Sequence, residues 1–416
     1  MPPASTAIRI RVRMRARPID EPHRASSQLE LLFDLTFVVA VAAVTAQLAH
    51  AIAGGHGLAG LMPFLQVFFA IWWAWMNFTW FASSYDTDDV AYRLLTMLQM
   101  AGVLVLAAGV PAAVSESDYG IVTLGYFIMR IGLVAQWLRA GLEDRARRRT
   151  ALRYAAGVGI MQLGWVLRFF LVDTGVLPSS FALPFFLVLV VLELSVPRWA
   201  ERARATNWHP HHIAERYGLF TIILLGESVL ATSRGVEGAL ETGEISGPFV
   251  VIAVCGLILL FALWWLYFLV EAGEGLSDRR DRSYLWGYGH YGIFAALAAL
   301  GAGLEVAVEQ SGHHVAASPL ALGFAVAIPV AAYLALLCAA HALIVPGPVI
   351  YPAAVPACVA VILLPLATSR IGVAAVVAAI TAICVLLVAV TITTAAMRAR
   401  AGERHGARRR LRQVVK

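Results

Sequence analysis

The sequence predicts an all-α polytopic membrane protein with about twelve transmembrane helices. A basic tail is predicted at each end of the chain. Of its 416 residues 60% are apolar and 14% are charged, and the mean hydropathy is +0.75. Soluble domains carry about 25% charged residues and at most about half apolar residues. This composition therefore excludes an ordinary soluble enzyme, a nucleic-acid-binding protein and a disordered protein.

Apolar runs of the length needed to cross a bilayer, about 20 residues, supply the second observation. Each run is predicted to be helical because unpaired backbone groups are too costly in lipid. The runs 180–197, 349–367 and 371–396 are the weakest, the first because it is short and the last two because a tight turn joins them. The twelve runs cover residues 29–52, 58–82, 93–113, 119–139, 151–173, 180–197, 213–233, 248–271, 285–308, 318–341, 349–367 and 371–396.

The distribution of basic residues is the third observation. If the N-terminus is cytoplasmic and the spans alternate, 28 of the 32 basic residues lie on the cytoplasmic side. Arg234 and Arg370 lie outside, and Arg130 and Arg168 lie within spans. This asymmetry predicts a protein of the cytoplasmic (inner) membrane with both termini cytoplasmic.

Four segments follow from this topology, and the two central ones share sequence features. Trp72-Trp73 match Trp264-Trp265, and Glu30 matches Glu215. The matches predict two parallel six-helix repeats, as in some transporters; the alternative is chance similarity between apolar segments. The segments are a basic tail (1–27), a first six-helix half (28–197), a second half (198–397) and a basic cytoplasmic tail (398–416).

Ionisable residues within spans are costly in lipid, so each is a functional candidate. Carboxylates and a histidine in a shared polar cavity would suit proton or cation coupling, because burial raises a carboxylate pKa and histidine titrates near neutrality. The alternative is a set of buried ion pairs that only hold helices together. Candidates for binding or proton coupling are Glu30, Asp34, Arg93, Glu215, Glu227, Ser228 and His290. Candidates for structural ion pairs are Arg130, Arg168, Glu193, Asp88 and Asp89.

Other clusters predict no metal site, cofactor or catalytic group. His209, His211 and His212 lack a further ligand and are expected to form a solvated cytoplasmic loop. The acidic run 86–89 is expected to pair with Arg93 rather than to hold a cation. The chain has no phosphate loop, no dinucleotide fingerprint and no nucleophile–base set, so an enzyme is the least supported class.

Three polar motifs within apolar segments resemble those of the bacterial low temperature requirement protein A family. They are LELLFDLTFVVAV in the first span, WWAWMNFTWFASSYDTDD with Arg93 after it, and AERYGLFTIILLGES in the seventh span. The resemblance covers roughly residues 26–396 and implies a multi-pass membrane protein connected with growth in the cold. It brings no substrate, reaction or cofactor. The motif positions it implies are Glu30, Asp34, Asp88, Asp89, Arg93, Glu215, Gly218, Glu227, Ser228 and His290.

Two functions are compatible with these features. The first is a proton- or cation-coupled secondary transporter of a small solute or ion. The second is a non-transporting membrane component for cold or stress adaptation, which acts through a partner or through anionic lipids at its basic cytoplasmic face. The expected partners are the bilayer, anionic lipids and a small solute or ion, and not nucleic acid; substrate and oligomeric state do not follow from the sequence.

Overall fold

The computed structural model describes residues 10–22, 24–242, 246–310, 315–345 and 351–414, and this part of the chain contains helices and no strand. The all-α prediction is confirmed. Two short 3₁₀ helices, Arg280–Arg282 and Leu364–Ala367, lie between longer elements. The α-helices are α1 (Gln28–Ala53), α2 (Gly57–Tyr85), α3 (Val90–Ser115), α4 (Gly120–Glu143), α5 (Arg148–Asp173), α6 (Ser179–Glu201), α7 (Pro210–Thr242), α8 (Gly247–Tyr267), α9 (Ala272–Asp278), α10 (Ser283–Glu309), α11 (Pro319–Ile344), α12 (Tyr351–Leu363) and α13 (Thr368–Val414).

Ten helical stretches among the described residues are long and apolar enough to cross a membrane. The last one, Ala353–Thr394, contains most of the final two predicted spans as a single stretch. Gly372, with a φ of 82°, breaks the helical path inside α13. Helix α7 is not among the ten, although it covers the seventh predicted span. The count of twelve spans thus stays a prediction.

The chain divides into two compact units. The first consists of Met1–Leu48 and Leu58–Ile223, and the second of Ala49–Gly57 and Leu224–Lys416. The residues that suggested a repeat have different surroundings: Trp72 and Trp73 are buried, whereas Trp264 and Trp265 are each more than two-fifths exposed. The repeat also stays a prediction.

Large apolar side chains cover much of the surface of individual helices. Leu163 on α5 is 67% exposed, Phe261 on α8 is 60% exposed and Leu386 on α13 is 63% exposed. Water would disfavour so much exposed apolar surface, whereas lipid tails solvate it at no cost. The helices therefore present lipid-facing surfaces, as an integral membrane protein requires.

Glycines allow α3 and α4 to pack at close range in the first unit. A Cβ atom at Gly125 would lie 2.3 Å from the backbone nitrogen of Leu106, and one at Gly102 would lie 2.7 Å from the carbonyl oxygen of Gly125. Such small residues bring helix backbones together in lipid, where packing contributes much of the association energy.

Gly125→Ala is expected to lower the free energy of unfolding by about 1–3 kcal/mol, because the new methyl group overpacks a backbone contact. Gly159→Ala on α5 is the matched control, since nothing lies within 4 Å of its added Cβ. This control should be neutral or slightly stabilising. The measurement is thermal unfolding of both purified variants in one detergent, and equal melting temperatures would contradict the close approach of α3 and α4.

The first described residues form an extended segment docked on the first unit. The backbone N–H of Val12 donates to Asp89 (2.8 Å), and that of Met14 donates to Glu143 (2.6 Å). Val12 and Met14 turn toward the protein, while Arg11, Arg13 and Arg15 are exposed, although Arg11 pairs with the Glu143 carboxylate and Arg13 donates to the Glu143 carbonyl. The alternation of a strand-like chain thus places three arginines in a row on the surface.

Candidate functional site

An ion pair in the first unit joins α1 to α7. Asp34 Oδ2 accepts a hydrogen bond from Arg216 Nε (2.8 Å), and Asp34 Oδ1 accepts one from Arg216 Nη2 (2.5 Å). The indole N–H of Trp75 on α2 donates to Asp34 Oδ1 as well (2.7 Å). The side chains of Asp34 and Arg216 are both buried. Such a bidentate pair fixes two helices in register and leaves neither charge uncompensated.

Glu30 lies one turn before Asp34 on α1 and is completely buried. Its carboxylate accepts from the backbone N–H of Ser27 (2.6 Å), and the Ser27 hydroxyl accepts from the N–H of Glu30 (3.3 Å), which is a capping box at the start of α1. The same carboxylate lies 3.3 Å from Arg216 Nη1 and 3.4 Å from Arg24 Nη2. Glu30 therefore has a structural role at the helix start and an electrostatic one.

The imidazole of His212 lies beside this carboxylate. His212 Nε2 is 3.2 Å from Glu30 Oε1, and the side chain is completely buried. Among the described residues, neither ring nitrogen of His212 has a partner in hydrogen-bonding geometry. Arg216 Nη1 is also buried and likewise has no hydrogen-bond partner among these residues. Buried polar atoms without hydrogen bonds are costly, so their presence in a network indicates a functional constraint.

Asp86, in the connection between α2 and α3, completes the group. Its Oδ2 lies 3.6 Å from Arg24 Nη2 and 3.5 Å from Arg17 Nη1. Burial, together with the nearby negative charge of Glu30, raises the pKa of the Asp86 carboxyl to about 6. We call this group the α1–α7 charge cluster; its members are Arg24, Glu30, Asp34, Asp86, His212 and Arg216.

The charges in this cluster do not balance. Two guanidinium groups, of Arg24 and Arg216, face three carboxylates. Arg17 does not correct the difference, because it is paired with Glu21 at 2.5 Å. One proton, on His212 or on Asp86, makes the cluster neutral. Because uncompensated buried charge is costly, the cluster has a physical reason to take up a single proton.

The prediction of a solvated histidine loop is wrong for two of its three members. His212 and His209 are buried, and only His211 is exposed. Helix α7 begins at Pro210, so His212 and Arg216 lie four residues apart on one face of a helix, opposite Glu30 and Asp34. The predicted seventh span begins at residue 213, so His212 lies outside it in the sequence, but the helix itself begins at Pro210 and carries His212 into the buried cluster.

The three acidic residues 86, 88 and 89 have separate partners. Asp88 forms an exposed bidentate pair with Arg93, with both distances 2.8 Å. Asp89 caps α3 by accepting from the backbone N–H of Tyr92, and it also accepts from Arg139. Burial raises the pKa of the Asp89 carboxyl, but these hydrogen bonds and the Arg139 charge outweigh it, and the pKa falls to about 2. Asp88, Asp89 and Arg93 thus lie at a helix start, outside the charge cluster.

Arg130 and Glu193 form a second buried pair in this unit, between α4 and α6, at 2.5 Å. The hydroxyl of Tyr126 donates to Glu193 Oε1 (3.1 Å), and the indole N–H of Trp165 donates to Glu193 Oε2 (2.6 Å). Both carboxylate oxygens are therefore occupied. Arg168, the other arginine within a span, contacts neither residue and donates to the carbonyl of Ala182.

The predicted site residues Glu227 and Ser228 lie in the second unit, as does Arg234. Glu227 Oε1 is 3.3 Å from Arg234 Nη2, which is also 3.1 Å from Glu305 Oε2. Glu227 Oε2 is buried and has no hydrogen-bond partner in the described chain. Ser228 donates to the carbonyls of Leu224 and Leu297, and so contacts α10. The carboxylates of Glu227 and Glu305 thus share the single guanidinium of Arg234.

His290 and Glu215 have other surroundings. His290 is buried on α10, where Nδ1 lies 2.8 Å from the Trp286 carbonyl and Nε2 lies 3.1 Å from the Tyr267 hydroxyl. The carbonyl can only accept, which assigns the proton to Nδ1 and makes Nε2 the acceptor for Tyr267. Glu215 is exposed and accepts from the backbone N–H of Ser26.

No group of three or more His, Cys, Asp or Glu side chains with metal-binding geometry occurs in the described segments. Arg24, His212, Trp75 and Arg139 are the polar contacts that sequence reasoning missed. The four-residue spacing of His212 and Arg216 is the signal that could have found His212, whereas no local pattern points to Arg24, Trp75 or Arg139.

Sequence similarity relates this chain to a bacterial family and to a further bacterial protein. The sequence model described as bacterial low temperature requirement A protein (LtrA) matches residues 25–397. A similar protein is the uncharacterized protein RA0937 of Rhizobium meliloti (strain 1021), which is 27% identical over 286 residues. That alignment spans 64% of this chain and 66% of the relative, slightly under two thirds of its length. No solved structure matches the chain significantly.

Proposed function

The chain belongs to the bacterial low temperature requirement A family, which brings no substrate or reaction with it, and we propose that it is a proton-coupled secondary transporter of a small solute or ion in the cytoplasmic membrane. The observation that supports this proposal is the unbalanced α1–α7 charge cluster. A buried cluster that is neutral only with one proton can exchange that proton when its surroundings change, which is the requirement for coupling.

The proposed proton acceptors are His212 and Asp86. Asp34 is not one of the proposed acceptors, because both of its oxygens accept hydrogen bonds from Arg216. Its role in the proposal is to hold Arg216 beside Glu30. Protonation of His212 would turn its contact with Glu30 into a charged pair, and would weaken the hold of Glu30 on Arg24 and Arg216. The contacts between α1 and α7 would then depend on protonation.

The unit containing Glu227 supports the proposal in a similar way. Glu227 and Glu305 share one guanidinium, that of Arg234. Glu227 is therefore a second proposed site of protonation. With the N-terminus cytoplasmic, as the arginine asymmetry suggests, the α1–α7 charge cluster would lie toward the cytoplasm and Glu227 in the outer half of α7.

His212→Gln is expected to reduce coupled proton movement at least tenfold, because it removes one of the two groups that can hold the proton. His211→Gln, one residue earlier and exposed, is the control and should behave like the wild type. The protein is reconstituted into vesicles containing a pH-sensitive dye. Inward gradients of amino acids, carboxylates, sugars and monovalent cations are then imposed one at a time.

The proposal requires that at least one solute gradient moves protons in the wild type and that His212→Gln reduces this movement by at least about tenfold. Size-exclusion chromatography of each variant separates loss of coupling from loss of folding. Asp86→Asn, which removes the other proposed acceptor, should also reduce coupled movement. Wild-type vesicles that move no protons with any solute would contradict the carrier function, as would full activity of both variants.

A second candidate function is a non-transporting component for cold adaptation that binds anionic lipid. The exposed row of Arg11, Arg13 and Arg15 supports it, because each basic residue near an anionic surface contributes about 1 kcal/mol; Arg15 is the one of the three without a contact to Glu143. The vesicle experiment separates the two functions. A protein of this second kind would move no protons, yet would retain phosphatidylglycerol in preference to zwitterionic lipid.

A further inference from the structure

A pocket in the first unit lies between α2, α4, α5 and α6, away from the α1–α7 charge cluster. It is lined by polar groups of Gln66, Tyr119, Thr123 and Arg168, and by apolar and aromatic groups that include Trp165 and Phe186. Arg168 lies near the end of α5 and Tyr119 directly precedes α4. The charge cluster, in contrast, lies at the start of α1 and the end of α2. The pocket therefore lies toward the opposite ends of the helices.

Arg168 is the charged group of this pocket, and it is 9% exposed. Its Nε and Nη2 both donate to the carbonyl of Ala182, at 3.3 and 3.2 Å, and its guanidinium lies 5.4 Å from the centre of the Phe186 ring. In the described chain no carboxylate lies within ion-pair distance of Arg168, in contrast to Arg130 and Arg216. A buried arginine in lipid normally has an anionic partner, and Arg168 lacks one within the described chain.

Neighbouring groups do not supply the missing charge. Glu193 is the acid associated with the pocket, through Trp165, but its charge is matched by Arg130 and both of its oxygens accept hydrogen bonds. Tyr119 donates its hydroxyl proton to Gln66 (2.9 Å), which orients the amide beside the pocket. The pocket thus combines one uncompensated guanidinium, neutral polar groups and an aromatic wall.

We propose that this pocket binds an anionic amphiphile: a single carboxylate or phosphate group joined to an apolar chain or ring. Arg168 is the group that binds the anion, because its planar guanidinium matches the geometry of carboxylate and phosphate oxygens. Trp165 and Phe186 contact the apolar part. The binding is independent of proton coupling, since a carrier and a non-transporting protein would both hold such a ligand at Arg168.

The test compares octanoate with octanol, which has the same chain length and no charge. Protein in nanodiscs of zwitterionic lipid is titrated with each, and the shift in melting temperature is recorded. Octanoate should stabilise the wild type and octanol should not. Arg168→Gln should bind octanoate at least about tenfold more weakly, because the anion loses its charged partner. Arg153→Gln, on the same helix but stacked on Trp199 outside the pocket, is the control and should bind like the wild type.

Two further arms complete the experiment. Ala70→Phe keeps Arg168 but fills the pocket, so it should lose octanoate binding even if Arg168→Gln is poorly folded. Native mass spectrometry identifies the source of the anion. Retention of phosphatidylglycerol by the wild type, with loss in Arg168→Gln, indicates a lipid headgroup; octanoate binding without lipid retention indicates a free anion. The proposal would be overturned if the wild type bound neither octanoate nor phosphatidylglycerol, or if Arg168→Gln or Ala70→Phe left octanoate binding unchanged.

Discussion

Arg216→Gln is expected to lower the free energy of unfolding by about 3–5 kcal/mol, the cost of removing one partner of a buried ion pair. The guanidinium of Arg216 holds Asp34 through two hydrogen bonds and lies 3.3 Å from Glu30. Without it, two buried carboxylates lose their main positive partner. The neutral glutamine cannot replace that charge, although it could retain one hydrogen bond.

Arg93→Gln is the matched control for this prediction. Arg93 forms the same kind of bidentate pair, with Asp88, but the side chains of the two residues are 50% and 43% exposed. Removal of an exposed pair should change the free energy of unfolding by less than about 1 kcal/mol. Chemical unfolding of the two purified variants in one detergent gives the comparison. If Arg216→Gln and Arg93→Gln prove equally stable, the buried pair does not hold α1 to α7.

The double variant Asp34→Asn with Arg216→Gln extends this experiment. Because it removes one positive and one negative charge together, it should be more stable than Arg216→Gln alone. Recovery of part of the lost free energy would show that the Asp34 carboxylate, left without its partner, causes the destabilisation. If the double variant is less stable than Arg216→Gln, the pair does not account for the loss.

Asp86→Asn is expected to stabilise the protein above pH 6, by roughly 2–3 kcal/mol. The pKa of Asp86 is about 6 in the folded protein and has a reference value of 3.8. Below the reference value the Asp86 carboxyl is protonated in both the folded and the unfolded protein, so its titration does not lower the free energy of unfolding. Between the two values the unfolded chain releases the proton and the folded protein keeps it, so stability falls as the pH rises. Asparagine resembles the protonated form and does not titrate.

The measurement is the free energy of unfolding of wild type and Asp86→Asn across pH 4–8. The two proteins should be equally stable near pH 4, and the advantage of the variant should grow to its full size by about pH 7. Asp88→Asn, two residues later and with a side chain that is 43% exposed, serves as the control and should show no such trend. A constant difference between wild type and Asp86→Asn at all pH values would show that Asp86 does not titrate in this range.

The helical membrane architecture and the family both follow from the amino-acid sequence alone. Long apolar runs allow only one backbone solution in lipid, because every N–H and C=O group must be paired within the segment. Polar residues within those runs are equally visible in the sequence, because they are few and costly, so Glu30, Asp34 and Glu227 stand out there as candidates. The four-residue spacing of Glu30 and Asp34 also places them on one helix face.

Which polar groups meet depends on the packing of the helices. These groups lie far apart in the sequence: Arg216 is on α7, Trp75 on α2, Arg24 before α1 and Asp86 between α2 and α3. None of these contacts follows from a local pattern. The burial of His212 likewise depends on where α7 begins and on the carboxylate packed against it. Local spacing fixes which side chains share a helix face, whereas the balance of charge in a buried cluster depends on side chains that distant parts of the chain bring together.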